Sequence, residues 1–374
     1  MKRIVTIARI IIGVLFIFSG IIKAIDPLGL CYKMQEFFEV WAADGHIPWL
    51  MNSLHDHAMI LTSIVITLEV ALGVAVLIGW QKRFILWVLL VLSIFFTFLT
   101  AYAYFTGKVR ECGCFGACIP LSSFATFLKD LILLVLIIFI IINKEYITPA
   151  FKSVHLLTLM FGSIMITALL QSHALEHLPI IDCLPYKVGN NILELRKAPA
   201  DATYDQYNYT FVYKKGSEEK EFDANALPDS SWQYVTRNEK LISKGNGKEP
   251  AIKDFSLTDA AGNDSTEAIL NQKGKYYLFF VKNMLEESSI WAPQFSYLYQ
   301  NVKLKNRKIY IVTADRLTMD SFFNIKHNYN LPIYNCDVIA IKTAARCTPT
   351  LFLMDGPVVE GKWAWLDVAD GLQQ

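Results

Sequence analysis

Residues 58–80 read AMILTSIVITLEVALGVAVLIGW, twenty-three positions with one charged side chain, Glu69. A helix of about 20 apolar residues is what crosses roughly 30 Å of hydrocarbon, so this stretch sets the class of the protein. Upstream, Ile4–Ile22 is a second such run; downstream, Phe84–Phe105 and about Leu121–Ile142 are a third and a fourth. A fifth, Val154 to about Leu170, is shorter and has His155 at its start. After Ser172 the hydropathy falls and no later segment is long enough to span. The whole chain agrees: of 374 residues 53% are hydrophobic and only 18% charged, with a mean hydropathy of +0.34, a balance rare in soluble proteins. A net charge of +1 and the absence of long like-charge runs give no footprint for nucleic acid.

Lys2 and Arg3 ahead of the first run could also open a cleaved signal peptide. Arg9 interrupts the run, Lys23-Ala24 is a poor cleavage site, and Leu28-Gly29-Leu30-Cys31 has leucine where a lipoprotein site needs a small residue, so the segment reads as retained. Orientation follows from Lys and Arg in short loops. Lys2, Arg3, Lys82, Arg83, Lys144 and Lys152 fall on one side, expected to be cytoplasmic. The other side holds segment 24–57, with Asp26, Glu36, Glu39, Asp44 and Asp56 against Lys33, although Lys108 and Arg110 weaken the contrast.

With five crossings all seven cysteines fall on the non-cytoplasmic side, where disulfides persist: Cys31, Cys112, Cys114, Cys118, Cys183, Cys336 and Cys347. Cys112-Gly113-Cys114 is too tight for an unstrained bridge, whose Cα atoms lie about 5.5–6 Å apart, and a strained bridge is easily reduced. Loop stapling and a zinc site of Cys31, Cys112, Cys114 and Cys118 remain alternatives; the spacing suits redox exchange better than either, because zinc ligand pairs are usually two to four residues apart.

The first 145 residues resemble the DoxX and MauE group of small membrane proteins, itself distantly similar to the vitamin K epoxide reductase type of quinone-linked thiol oxidoreductase. The likeness is carried by ARIIIGVLFIFSGIIKAIDPLG (Ala8–Gly29), LEVALGVAVLIG (Leu68–Gly79), CGCFG (Cys112–Gly116) and Lys129-Asp130. It implies a four-helix core assisting disulfide chemistry outside the cytoplasm. Intramembrane charges are expensive unless paired, protonated or wet. Glu69 reads either as a helix-to-helix hydrogen bond or as a group beside a bound quinone. Arg9 can snorkel, and Lys129 and Asp130 can compensate each other.

Residues 179–249 read as a β-rich connector, with an alternating stretch Tyr207–Lys214 and a turn at Lys215-Gly216-Ser217. Cys183 follows the last helix closely, within reach of the Cys-x-Cys loop or unpaired. Residues 250–374 resemble a thioredoxin-like domain of the peroxiredoxin-like branch: an opening strand at Pro250–Leu257, strands at Tyr276–Val281 and Lys308–Thr313, and a cis-proline turn and hairpin at Thr348–Gly356. Where such a domain carries Cys-x-x-Cys, this chain has Lys282–Ser289 without cysteine. Cys336 and Cys347 flank an apparent strand, Val338–Lys342, and either bridge or stay buried as small hydrophobes. The loop Met284–Trp291 and the proline turn are left as a binding surface.

The fold expected is thus an α-helical membrane bundle (residues 1–145 plus a fifth helix within 146–178), the connector, and an α/β thioredoxin-like domain. The function expected is that of a redox accessory protein of a bacterial inner membrane, with the carboxyl-terminal domain periplasmic. Cys112 and Cys114 would cycle, Cys31, Cys118 or Cys183 would pass the oxidising equivalent to an extracytoplasmic thiol protein, and Glu69, Arg9 and Asp130 would attend a quinone. The rival class is a non-enzymatic scaffold whose cysteines only lock loops.

Overall fold

The first helix, α1 (Lys2–Ile25), ends where Asp26-Pro27 follows, because proline pushes its predecessor out of the helical region. Asp26 then caps α2 (Pro27–Ala43), accepting from the Gly29 amide at 3.2 Å, with the proline at the first helical position, where its missing N–H costs nothing. The computed structural model describes residues 1–109, 116, 118–119, 121–149, 153–216, 218–282 and 288–372. Within them α3 (Pro48–Asp56), α4 (Ala58–Ile78), α5 (Lys82–Thr106), α6 (Ser123–Ile142) and α7 (Ser153–Glu176) complete the helical half. Among the described residues five helices, α1, α4, α5, α6 and α7, are long and apolar enough to cross a membrane. They coincide with the five apolar runs, the last extending beyond Leu170.

Helices in lipid gain little from burying apolar surface against each other, so close packing of small residues holds them together. The α1–α4 contact shows this. A Cβ on Gly13 would lie 2.4 Å from Leu77 Cγ and 2.9 Å from the Gly73 carbonyl oxygen, and one on Gly73 would lie 2.9 Å from the Gly13 oxygen. Glycine is thus required by the approach of the two backbones. At one end of the bundle, Arg9 Nη1 donates to the Thr148 carbonyl (3.3 Å) and Lys82 Nζ to that of Ile147 (2.9 Å). At the other end, α2 and α3 occupy segment 24–57, whose helices the sequence reading did not anticipate.

The α/β half is built on a five-stranded sheet. After α8 (Ile192–Leu195) come β1 (Gln206–Lys215), β2 (Glu218–Asp223) and β3 (Gln233–Ser243), which form a separate antiparallel sheet in the order β2-β1-β3; Lys215 pairs with Glu218, and Ser217 of the expected turn lies outside the described residues. The main sheet follows: α9 (Thr266–Leu270), β4 (Lys275–Val281), α10 (Ser288–Leu304), β5 (Lys308–Thr313), α11 (Arg316–Asp320), β6 (Ile333–Asn335), α12 (Val338–Ala344), β7 (Thr350–Asp355) and β8 (Val358–Ala364). Its order is β6-β5-β4-β7-β8, with β5 parallel and β7 antiparallel to β4, and a cis Thr348–Pro349 bond leads into β7. This order, with a cis-proline ahead of the β7–β8 hairpin, agrees with the α/β arrangement expected from the sequence.

Strand β4, KYYLFFV, is apolar at consecutive positions because both its faces are covered. Tyr276, Leu278 and Phe280 join a core with Phe255, Phe352 and Ile341; Tyr277, Phe279 and Val281 join a second with Trp291, Phe295 and Phe323 on the opposite face. Residues 184–195 contribute Tyr186 and Ile192, 1% and 0% exposed, to the first core, and Ile192 N donates to the Pro357 carbonyl at 2.9 Å.

Two expectations are corrected. Residues 250–257 pair in no strand; Asp254 takes a positive φ of 55°, which breaks an extended run, and only Thr258 forms isolated bridges. Val338–Ala344 is a helix, started by Asp337, whose carboxylate accepts from the Ile339 and Ala340 amides (2.7 and 3.2 Å).

Candidate functional site at the junction of the two halves

The sharp α1–α2 corner presents Asp26, Cys31 and Tyr32 to the α/β half. Asp26 Oδ2 accepts from Arg346 Nε at 3.1 Å, and Arg346 Nη1 reaches back to the Lys342 carbonyl at 2.9 Å. Next in the chain, the Cys347 thiol donates to the Leu175 and Glu176 carbonyls at the end of α7 (3.4 and 3.5 Å), using acceptors that the helix terminus leaves free. His177 Nδ1 lies 2.9 Å from Asp367, and Lys362 Nζ lies 2.8 Å from Asp182 Oδ2. The loop before the cis-proline is therefore docked on the membrane half of its own chain.

The cysteines sort themselves around this junction. Cys118 and Cys183 form a disulfide with Cα atoms 4.8 Å apart, closing 65 residues of sequence and tying the α5–α6 loop to the segment that enters the α/β core. The open alternative of an unpaired Cys183 falls away, and so does a zinc set that includes Cys118, whose sulfur is bonded. Cys31 is a buried free thiol in an apolar cluster with Leu30, Met34 and Ala58. Burial pushes its pKa up, opposed by Thr62 and the charges of Lys342 and Lys282. Cys336 and Cys347 are free and buried, so they do not bridge; burial pushes both thiols up to about 12. They are small hydrophobes in place, not ready nucleophiles. Cys112 and Cys114 lie outside the described residues, as does 283–287 of the loop expected to bind partners.

Tyr32 sits under three cations, Lys342, Lys282 and Arg346, at 4.7, 5.6 and 5.7 Å from its ring centre. Burial is the main reason its hydroxyl is pushed up to about 12.

Deeper in the bundle, Lys23 Nζ lies 2.7 and 2.9 Å from the two Glu69 oxygens and 4.5 Å from the Phe96 ring centre. Lys23 is 2% exposed and Glu69 4%. Lys129 Nζ and Asp130 Oδ1 are 2.7 Å apart, as their adjacency allows. Both pairs line one cavity of about 20 Å³ with Ser19 and Ser93, room for a single water. The structure thus brings Glu69 and Asp130 together and leaves Arg9 at the far end of the bundle. A quinone ring does not fit this space. Sequence reasoning missed Lys23 as the partner of Glu69, although a lysine closing one apolar run and a glutamate within another were the available signal; for Tyr32, Lys342 and Arg346 there was none.

Residues 1–143 match the family described as methylamine utilisation protein MauE, and residues 207–244 match a domain of unknown function, DUF8463. No curated protein matches the chain. Two solved structures from Xanthomonas campestris are similar to part of this chain: the bacterioferritin comigratory protein, described for its alkyl peroxide reduction activity, and a cysteine-to-serine mutant of peroxiredoxin Q. Each is 17% identical with a TM-score of 0.25, covers 33% of this chain, and is itself covered to 88% and 87% respectively.

Proposed function

We propose that this chain is a membrane-anchored thiol–disulfide exchange protein working on the extracytoplasmic side, with Cys112 and Cys114 as the reacting couple and the thioredoxin-like domain as a fixed cap. The observation that carries this reading is the Cys118–Cys183 bridge. It ties Cys118, four residues after Cys114 in sequence, to the segment that enters a domain with no cysteine where its fold would place one. The cap's proline loop is docked on α2 and α7, which leaves the sulfur chemistry to the membrane half.

The step balances between two proteins. A partner thiolate attacks one sulfur of the Cys112–Cys114 disulfide, forming a mixed disulfide and releasing the other sulfur as thiolate. A second partner thiolate displaces the first bond. Two partner thiols become a disulfide, the couple becomes a dithiol, and the two protons move from partner to couple.

The scaffold reading is favoured by the same docking contacts, since they would serve a purely structural role equally well. Differential alkylation with mass spectrometry separates the two. The exchange reading expects Cys112 and Cys114 to be reduced by mild dithiol while Cys118–Cys183 persists, and a Cys114→Ser variant to trap a partner on Cys112. A couple that resists mild reduction and traps nothing establishes the scaffold instead.

A further inference from the structure

The end of β4, α12 and the loop before the cis-proline each send one cation toward Tyr32. Arg346 is neutralised by Asp26. Among the described residues neither Lys282 nor Lys342 has a carboxylate within ion-pair distance. A cation–π contact contributes about 0.5–2 kcal/mol and leaves the charge in place, so Tyr32 orients the two ammonium groups without cancelling them. They also oppose each other: burial and the charge of Lys342 both disfavour the charged form of Lys282. Cys31 is no counter-ion while burial keeps its thiol protonated. Two like charges are therefore held, half-buried, over one ring without a carboxylate partner among the described residues. They lie over Tyr32, early in α2 and just beyond the end of the membrane-length helix α1, and lipid headgroups meet a membrane protein at the ends of such helices.

We propose that Lys282, Lys342 and Tyr32 form a binding site for an anionic phosphoryl group, the chemistry presented by an acidic phospholipid headgroup. The ammonium groups supply charge and the Tyr32 hydroxyl a donor, and no base or sugar recognition is needed. The anion would bridge α2 to β4 and α12 and so strengthen the seating of the cap on the membrane. This site stands on charge geometry and is independent of the thiol chemistry proposed above.

The test uses the full-length protein in nanodiscs of phosphatidylcholine alone, of phosphatidylcholine with phosphatidylglycerol, and of phosphatidylcholine with millimolar inorganic phosphate. Thermal unfolding and the lipid retained after size exclusion are read. Phosphatidylglycerol is expected to raise the unfolding temperature and to be retained preferentially. In Lys282→Gln/Lys342→Gln that preference is expected to fall about thirtyfold, at roughly 1 kcal/mol for each lysine. Lys144→Gln, at the opposite end, keeps the preference, and Lys342→Arg keeps most of it. A shift with inorganic phosphate equal to that with phosphatidylglycerol supports the phosphoryl site with a soluble source. Absence of a shift with either anion, or a folded double variant that retains lipid as the wild type does, overturns the proposal.

Discussion

Replacing Glu69 with leucine would strand the ammonium of Lys23 among apolar side chains. Both partners are almost fully buried, 2% and 4% exposed, and the ammonium contacts both carboxylate oxygens within 2.9 Å. Breaking such a pair from one side costs about 3–5 kcal/mol, whereas replacing both partners with apolar residues of similar volume is often neutral or stabilising. Phe96 survives in the variant and still faces the cation, and Lys23 stands in the last turn of α1, where the helix dipole favours a positive charge. Both features place the expected loss near the lower limit, about 3 kcal/mol. Lys23→Met should lose a similar amount, and Lys23→Met/Glu69→Leu should return to within about 1 kcal/mol of the wild type. A double-mutant cycle measured by reversible denaturation in micelles gives the coupling directly. Single variants that lose less than about 1 kcal/mol, with an additive double, would refute the reasoning, because the pair would then behave as solvated charges.

Cys118→Ser and Cys183→Ser should each destabilise the junction by up to about 4 kcal/mol, the chain-entropy value for a loop of this length, and the double serine variant should lose no more than either alone in thermal unfolding. Cys336 and Cys347, with thiols near 12, hold about 10⁻⁴ of their population as thiolate at pH 8; mass spectrometry should find them alkylated only after denaturation, and rapid labelling of the native protein would contradict their burial. Reporter fusions at Gln81 and Gly245 should report opposite sides of the membrane, and the same side for both would remove the five-crossing topology. The full-length Cys112→Ser/Cys114→Ser protein should not reduce insulin, and turnover that disappears on Cys347→Ser would make the cap itself an exchanger.

The crossing helices were legible because hydrocarbon thickness imposes a length that no other environment demands, and 58–80 announces it without help from tertiary structure. The strands β4 and β5 were legible for a similar reason, burial on both faces. Residues 338–344 were misread because a run of seven, VIAIKTA, is too short for periodicity to separate helix from strand; the decisive residue is Asp337, whose side chain caps the helix. The opening strand at 250–257 failed on one backbone angle, at Asp254. The pairing of Cys118 with Cys183 depends on where α7 delivers the chain, and the cations over Tyr32 come from segments some 250 to 310 residues away in sequence. Such long-range meetings leave no local trace, whereas Lys23 and Glu69 did leave one in their opposite charges.

The way the chain enters and leaves the three-stranded sheet has a consequence for how the protein is put together. The Asn246 amide donates to the Thr203 carbonyl (3.1 Å), the Thr203 amide to the Asn246 side chain (3.1 Å), and Gly245 N to Asp205 (2.7 Å), so the two ends of residues 204–245 are clasped side by side. The α/β core is stitched from both flanks of this clasp, Tyr186 and Ile192 before it and Ile252 onward after it. The sheet is thus a cassette plugged into one socket. Excising it and joining residue 203 to 246 with a short linker should leave the body intact, whereas starting a fragment at 248 removes part of the core. The family match at 207–244 falls within the clasp.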